Sequence, residues 1–181
     1  MKGENMKQFV ISIRVHNKFG VLSRVASMFS RRGFNIDSLT VSATETEGVS
    51  RMTITATGDE YTKKQIILQL NRLHEVISIT EMPYETSLIR ELLLIKIRNL
   101  PEKHQEIMDA VNIFKASIID YAPESFCIEV TGETSKLDTF ISVVEPCGII
   151  EMCRTGAVAL TRGSESLREM DMGYLNVYKK Y

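Results

Sequence analysis

The 181 residues contain no tryptophan, only 4 prolines and only 3 cysteines. The cysteines, Cys127, Cys147 and Cys153, are odd in number and all lie in the second half, which excludes a secreted disulfide framework and fits a reducing cytoplasm. Cys147 and Cys153 lack C-x-x-C spacing and no histidine is near them, so they are expected to be small buried hydrophobes, and no metal site is expected. No apolar run approaches the ~20 residues of a membrane helix. The opening Met1-Lys2-Gly3-Glu4-Asn5-Met6 is too polar for a signal peptide. Neither sign of charge dominates: Lys plus Arg is 22, Asp plus Glu is 23, and the formal net charge is -1. That balance argues against a dedicated binder of nucleic acid or anionic membrane. No P-loop, G-x-S-x-G, H-E-x-x-H or G-x-G-x-x-G occurs. His16, His74 and His104 are far apart in sequence, and no catalytic residue is assigned.

What is present is an ordinary globular composition, 44% apolar and 25% charged, carrying an internal repeat. Val10-Ile11-Ser12-Ile13-Arg14-Val15-His16-Asn17 alternates and ends in asparagine, and Leu92-Leu93-Leu94-Ile95-Lys96-Ile97-Arg98-Asn99 does nearly the same. Phe9, Ile11, Ile13 and Val15 share one face of a half-buried strand. A helical period follows each strand, on Leu22, Val25, Ala26 and Phe29 and again on Ile107, Ala110, Val111 and Phe114. Gly33, behind Arg31 and Arg32, fits a C-cap. Two strands come next in each half. Phe34 to Ala43, with a bulge near Asp37-Ser38, and Arg51 to Gly58 are joined by Glu45-Thr46-Glu47-Gly48. Ser117 to Tyr121 and Phe126 to Thr131 are joined around Pro123. A second helix follows, with a capping box at Thr62-Lys63-Lys64-Gln65 before Ile66, Leu70 and Leu73 in one half. In the other half Ser135 caps Leu137, Phe140, Ile141 and Val144. Val76 to Glu81 and Ile149 to Arg154 close the halves.

Each half therefore reads β-α-β-β-α-β, and the fold class is α+β: two ferredoxin-like βαββαβ domains in tandem. The expected divisions are 1-82, a linker at 83-89 containing Pro83, 90-163, and a tail at 164-181. In the tail, Leu167, Met170, Tyr174 and Tyr178 hint at a helix that Gly173 weakens. Halves of about 80 residues bury only ~60% of their unfolded surface, so association is expected. RNA binding is disfavoured, because Arg51 to Gly58 offers Met52, Ile54 and Ala56 where base-stacking aromatics would stand.

One turn stands out: Asn17-Lys18-Phe19-Gly20-Val21-Leu22-Ser23-Arg24. The first amides of a helix lack intrahelical acceptors and lie at the positive end of its dipole. Gly20 lets a ligand approach the backbone, and a carboxylate can accept from the amides of Val21 and Leu22. Asn17 and Asn35 each offer both a donor and an acceptor. Val15, Leu22 and Ile36 would leave room for a short aliphatic group. These residues equally fit a plain glycine N-cap with a polar turn. The corresponding turn of the second half, Asn99-Leu100-Pro101-Glu102, has a proline and no glycine, so the same mode of binding is not expected there.

Asn17 to Arg24 together with Phe29 to Val41 resembles the ACT domain of the acetolactate synthase (acetohydroxyacid synthase) small, regulatory subunit. Ser50-Arg51-Met52-Thr53-Ile54, Arg90-Glu91-Leu92, Ile118-Ile119-Asp120 and Leu160-Thr161-Arg162-Gly163 match that family's pattern too, so the resemblance covers the chain to about Gly163. It implies an N-terminal ACT domain for effector binding and dimerisation, and a C-terminal ferredoxin-like domain implicated in contact with the catalytic subunit. It further implies a non-catalytic cytoplasmic subunit in branched-chain amino acid biosynthesis. Such a subunit raises the activity of a catalytic subunit carrying thiamine diphosphate, Mg and FAD, and confers feedback inhibition by valine. No cofactor is implied on this chain. The effector-binding positions implied are Asn17, Gly20, Val21 and Leu22 of one chain with Asn35 and Ile36 of the neighbour in a homodimer. Two alternatives stand beside it. One is a stand-alone amino-acid sensor acting on another enzyme or a transcription factor. The other is an acylphosphatase-like enzyme using Asn17 with Arg14 or Arg24.

Overall fold

The structure, a computed structural model, describes residues 6–164; the expected tail helix lies outside them. Two compact units are formed, residues 6–88 with 156–164, and Ile89–Thr155.

In the first unit the elements are β1 (Lys7–His16), α1 (Val21–Arg32), β2 (Ser38–Ala43), β3 (Val49–Gly58), α2 (Glu60–Leu70) and β4 (Val76–Glu81). The sheet order is β2-β3-β1-β4, and the pairings are antiparallel. This is the ferredoxin-like arrangement, with β2 and β4 as edges. Period two in β1 sends Phe9, Ile11, Ile13 and Val15 into the core beneath Val25 and Phe29 of α1 and Ile66 and Leu70 of α2. The stripe of α1 differs from expectation. Val21 and Met28 are buried with Val25 and Phe29, whereas Leu22 is 45% exposed. The spacing 21, 25, 28, 29 satisfies the helical period as well as the anticipated set does, and contact with the sheet selects it.

Gly33 ends α1 in the left-handed region at φ 68°, and the Phe34 amide returns to the Phe29 carbonyl at 3.0 Å. Residues 34–37 do not extend β2, contrary to the bulged strand expected. The chain is still turning out of the helix cap, and only at Asp37 does an amide reach the Thr55 carbonyl, at 2.9 Å. The capping box also fails. Asp59 is the N-cap of α2, its carboxylate accepting from the Thr62 amide at 2.7 Å, so Thr62 lies inside the first turn.

The second unit repeats the plan with β5 (Ser87–Arg98), α3 (His104–Phe114), β6 (Ser117–Ala122), β7 (Ser125–Gly132), α4 (Thr134–Val144) and β8 (Ile149–Arg154), in sheet order β6-β7-β5-β8. Glu133, not Ser135, precedes α4, and no side chain caps it. The Leu93, Ile95 and Ile97 face of β5 packs under Ile107 and Val111 of α3 and Leu137 and Phe140 of α4. Arg154 ties the unit together: Nε donates to Glu91 at 2.5 Å and Nη1 to Asp138 at 2.6 Å.

A further strand, β9 (Val158–Thr161), was not apparent in the sequence. With Gly156 it belongs to the first unit, where the Arg162 amide donates to Thr86 at 3.0 Å. A Cβ on Gly156 would stand 2.5 Å from Thr40 Oγ1 and 3.1 Å from the Leu39 carbonyl carbon, so only glycine fits this approach.

Candidate functional site

The Gly20 turn is built by the end of β1. The Asn17 amide is held by the Gly48 carbonyl at 2.8 Å and the His16 amide by that of Glu75 at 2.9 Å. The chain then turns through Gly20, φ 83° and ψ −5°, directly into α1. No side chain caps this helix, and nothing lies within 4 Å of where a Gly20 Cβ would be. An L side chain would be strained at this φ, so the glycine follows from the turn. The start of α1 thus presents its first-turn amides beside open space. The Val21 amide lies 3.4 Å from the Lys18 carbonyl, a long contact that competes weakly for it. Asn17 and Phe19 are exposed, and Leu22 is partly so.

The expected lining is corrected at one position. Val15 is fully buried in the core and does not face the turn, because period two directs it under α1. Ile36 is half-buried and packs against the same core. Asn35 is exposed and oriented: its Nδ2 donates to Asp37 Oδ1 at 2.9 Å, and Asp37 Oδ2 accepts from Thr57 at 2.7 Å. Asp37 was missed by the sequence reading, although its spacing two residues after an asparagine is a recognisable local hydrogen-bonding pattern.

The residues do not all converge within one chain. Asn17, Gly20, Val21 and Leu22 sit at the start of α1, and Asn35 and Ile36 follow its end. The intervening helix has 12 residues, about 18 Å at 1.5 Å per residue.

The acylphosphatase alternative is not supported. Arg24 forms an ion pair with Glu75. Arg14 leaves the sheet on the face away from the core, with Nη2 3.5 Å from Thr46 Oγ1. In the second unit, Asn99 Nδ2 is spent on the Pro123 carbonyl at 3.1 Å, and a 3₁₀ turn over Pro101–Lys103 precedes α3. That turn has no glycine in the left-handed region to open an approach. Among the described residues no cluster of three His, Cys, Asp or Glu side chains could hold a metal, and no helix is long and apolar enough to cross a membrane.

The geometry of the first unit is shared with known proteins. Residues 11–78 match the family described as "AHAS small subunit-like ACT domain", and residues 90–163 match "Small subunit of acetolactate synthase". The probable acetolactate synthase small subunit of Archaeoglobus fulgidus is 50% identical over 155 residues, covering 86% of this chain and 97% of that protein. The chain belongs to the acetolactate synthase small-subunit family. The small subunit of Mycobacterium bovis is 45% identical over 161 residues, covering 89% of this chain and 96% of that protein. Among solved structures, the small subunit from Thermotoga maritima superimposes with a TM-score of 0.81 at 42% identity, over 88% of this chain and 99% of that one. The family match therefore contains both the Gly20 turn and the Asn35 loop.

Proposed function

We propose that this chain is the non-catalytic, regulatory subunit of acetolactate synthase: it binds the catalytic subunit, raises its activity and makes it subject to inhibition by valine. In this reading thiamine diphosphate, Mg and FAD belong to the catalytic partner. The observation that carries it is the Gly20 turn, a backbone N-terminus with no side chain occupying it, in a chain of this family. A free amino acid offers a carboxylate to the amides of Val21 and Leu22, an ammonium to the Asn17 and Asn35 carbonyl oxygens, and a short aliphatic group to Leu22 and Ile36.

The separation of these residues along α1 supports a site shared by two copies. α1 carries the chain from β1 to β2, which is an edge of the sheet. Two β2 edges meeting antiparallel about a twofold axis would run their α1 helices antiparallel as well. The start of one helix would then meet the end of the other, and Gly20 of one copy would face Asn35 and Ile36 of its mate. Two or three charge-assisted hydrogen bonds at about 1.5–3 kcal/mol each, offset by association entropy, suit a micromolar-to-millimolar sensor. A ligand that spans two chains biases their arrangement, and a coupling of about 1–3 kcal/mol gives a graded response.

The test is reconstitution. The purified chain alone is expected to make no acetolactate, to raise the rate of the catalytic subunit when mixed with it, and to lose that effect when valine is added. An unchanged rate and valine response refutes the reading. Valine binding without any effect on the synthase would instead favour a stand-alone sensor, whose partner a pull-down would identify.

A further inference from the structure

The two units repeat one plan, and the repeat shows where the second departs from what the fold requires. Met28 and Phe29 of α1 correspond by burial to Ala110 and Val111 of α3, and Ile66 and Leu70 of α2 to Phe140 and Val144 of α4. Arg32 then stands at the place of Phe114, and Gln69 at the place of Val143. In the first unit these side chains are polar and bridge the two helices, Arg32 Nη2 donating to Gln69 Oε1 at 3.1 Å. In the second unit the same seam is apolar and open. A groove of about 340 Å³ lies between α3 and α4, and the buried Ile107, Ala110 and Val144 are part of its lining. Ile113, 75% exposed, and Val143, 47% exposed, line it as well. Phe114 meets Phe140 edge-on with ring centres 5.3 Å apart, which holds this wall in place. Single apolar side chains at a surface are ordinary, but two of them flanking a concave apolar seam mark an interaction site.

The charge around the groove selects its occupant. The charged side chains that line it, Glu106 and Asp109, are both acidic. Glu106 is paired with Lys103 at 2.8 Å. Asp109 accepts from the neutral amide of Gln105 at 2.9 Å, and among the described residues no cation forms an ion pair with it. Glu145, next to Val144, adds an exposed acid. A second copy of this chain fits poorly, because a twofold contact would set one acidic wall against another. A partner with Lys or Arg beside an apolar stripe is complementary. α3 and α4 have 11 residues each, about 16 Å at 1.5 Å per residue, which matches about three turns of a helix laid between them. Such a helix seats side chains spaced three and four apart in the apolar seam.

We propose, resting on the regulatory role inferred for this chain, that the α3–α4 groove receives an amphipathic helix of the catalytic subunit, apolar on its inserted face and basic alongside it. Titrating the full chain into purified catalytic subunit, with acetolactate formation as the readout, tests this. Ile113→Gln/Val143→Gln changes two exposed side chains, so the melting temperature is expected to hold while the concentration for half-maximal activation rises about tenfold. Asp109→Lys raises it as well, whereas Ile119→Gln, at a similarly exposed apolar position on β6, leaves it unchanged. With p-benzoylphenylalanine in place of Ile113, irradiation of the complex is expected to attach the chain to a catalytic-subunit segment that carries Lys or Arg at helical spacing. An unshifted midpoint for the double variant, or an equal shift from Ile119→Gln, overturns the groove and leaves the regulatory role standing. A crosslink to a second copy of this chain also overturns it. Failure of the unmodified chain to raise the rate removes the regulatory role itself, and the assigned occupant with it.

Discussion

Replacing Gly20 by aspartate separates charge from shape at the effector turn. Beyond the adjoining residues, no heavy atom lies within 4 Å of the position a Cβ would take, so the Cβ itself meets open space. The φ of 83° strains any L residue there by about 1 kcal/mol, which lowers stability and not ligand affinity as such. Asparagine has the same shape as aspartate and tolerates this region equally well. The two variants therefore differ only in charge. A carboxylate on residue 20 would lie about 5 Å from the carboxylate of a bound amino acid. At an effective dielectric near 30, the repulsion is about 2 kcal/mol, a loss of roughly thirtyfold in affinity. Calorimetric titration of valine into the full chain reads this directly, and thermal melts confirm that both variants fold. Gly20→Asn should bind within a few-fold of the unmodified chain, and Gly20→Asp about thirtyfold more weakly, with the inhibition of the reconstituted synthase weakened in parallel. Equal losses for Asn and Asp would show that charge is not the cause, and undiminished binding by Gly20→Asp would remove the ligand from this turn.

Other consequences follow from local geometry. Gly156→Ala puts a Cβ 2.5 Å from Thr40 Oγ1 and against the Leu39 backbone, so it is expected to destabilise the protein by about 1–3 kcal/mol; an unchanged melting temperature would contradict this. Arg154→Met leaves Glu91, 9% exposed, without its cation, and a loss of about 3 kcal/mol is expected in urea unfolding, whereas a loss under 1 kcal/mol would mean that the pair is dispensable. Thiol titration should find Cys153 fast and Cys147 slow, since Cys153 is exposed whereas burial pushes the Cys147 thiol up, beyond the nearby acid Glu106 and against Lys103; simultaneous reaction in the folded state would refute that order.

Alternation and helical period were enough to place most elements. Val76–Glu81 and Ile149–Arg154 begin and end where the pattern puts them, because each strand's buried face must be apolar and its neighbours are turn formers. Gly33 was readable for a similar reason: a basic last turn followed by glycine has few structural meanings. Errors collected where several local solutions were compatible with the same residues. Asp59 and Thr62 both satisfy a capping pattern, and Val21 and Leu22 both satisfy a helical stripe, so packing made the choice.

The amino-acid sequence by itself determined the twofold βαββαβ plan and marked the Gly20 turn, since periodicity and a glycine at a helix start are local properties. Tertiary structure alone decided that Asp37 orients Asn35 and that Gly156 lies against Leu39 and Thr40 of β2. Distances between residues remote in sequence are set by how strands pair and helices pack, and no short-range pattern records them.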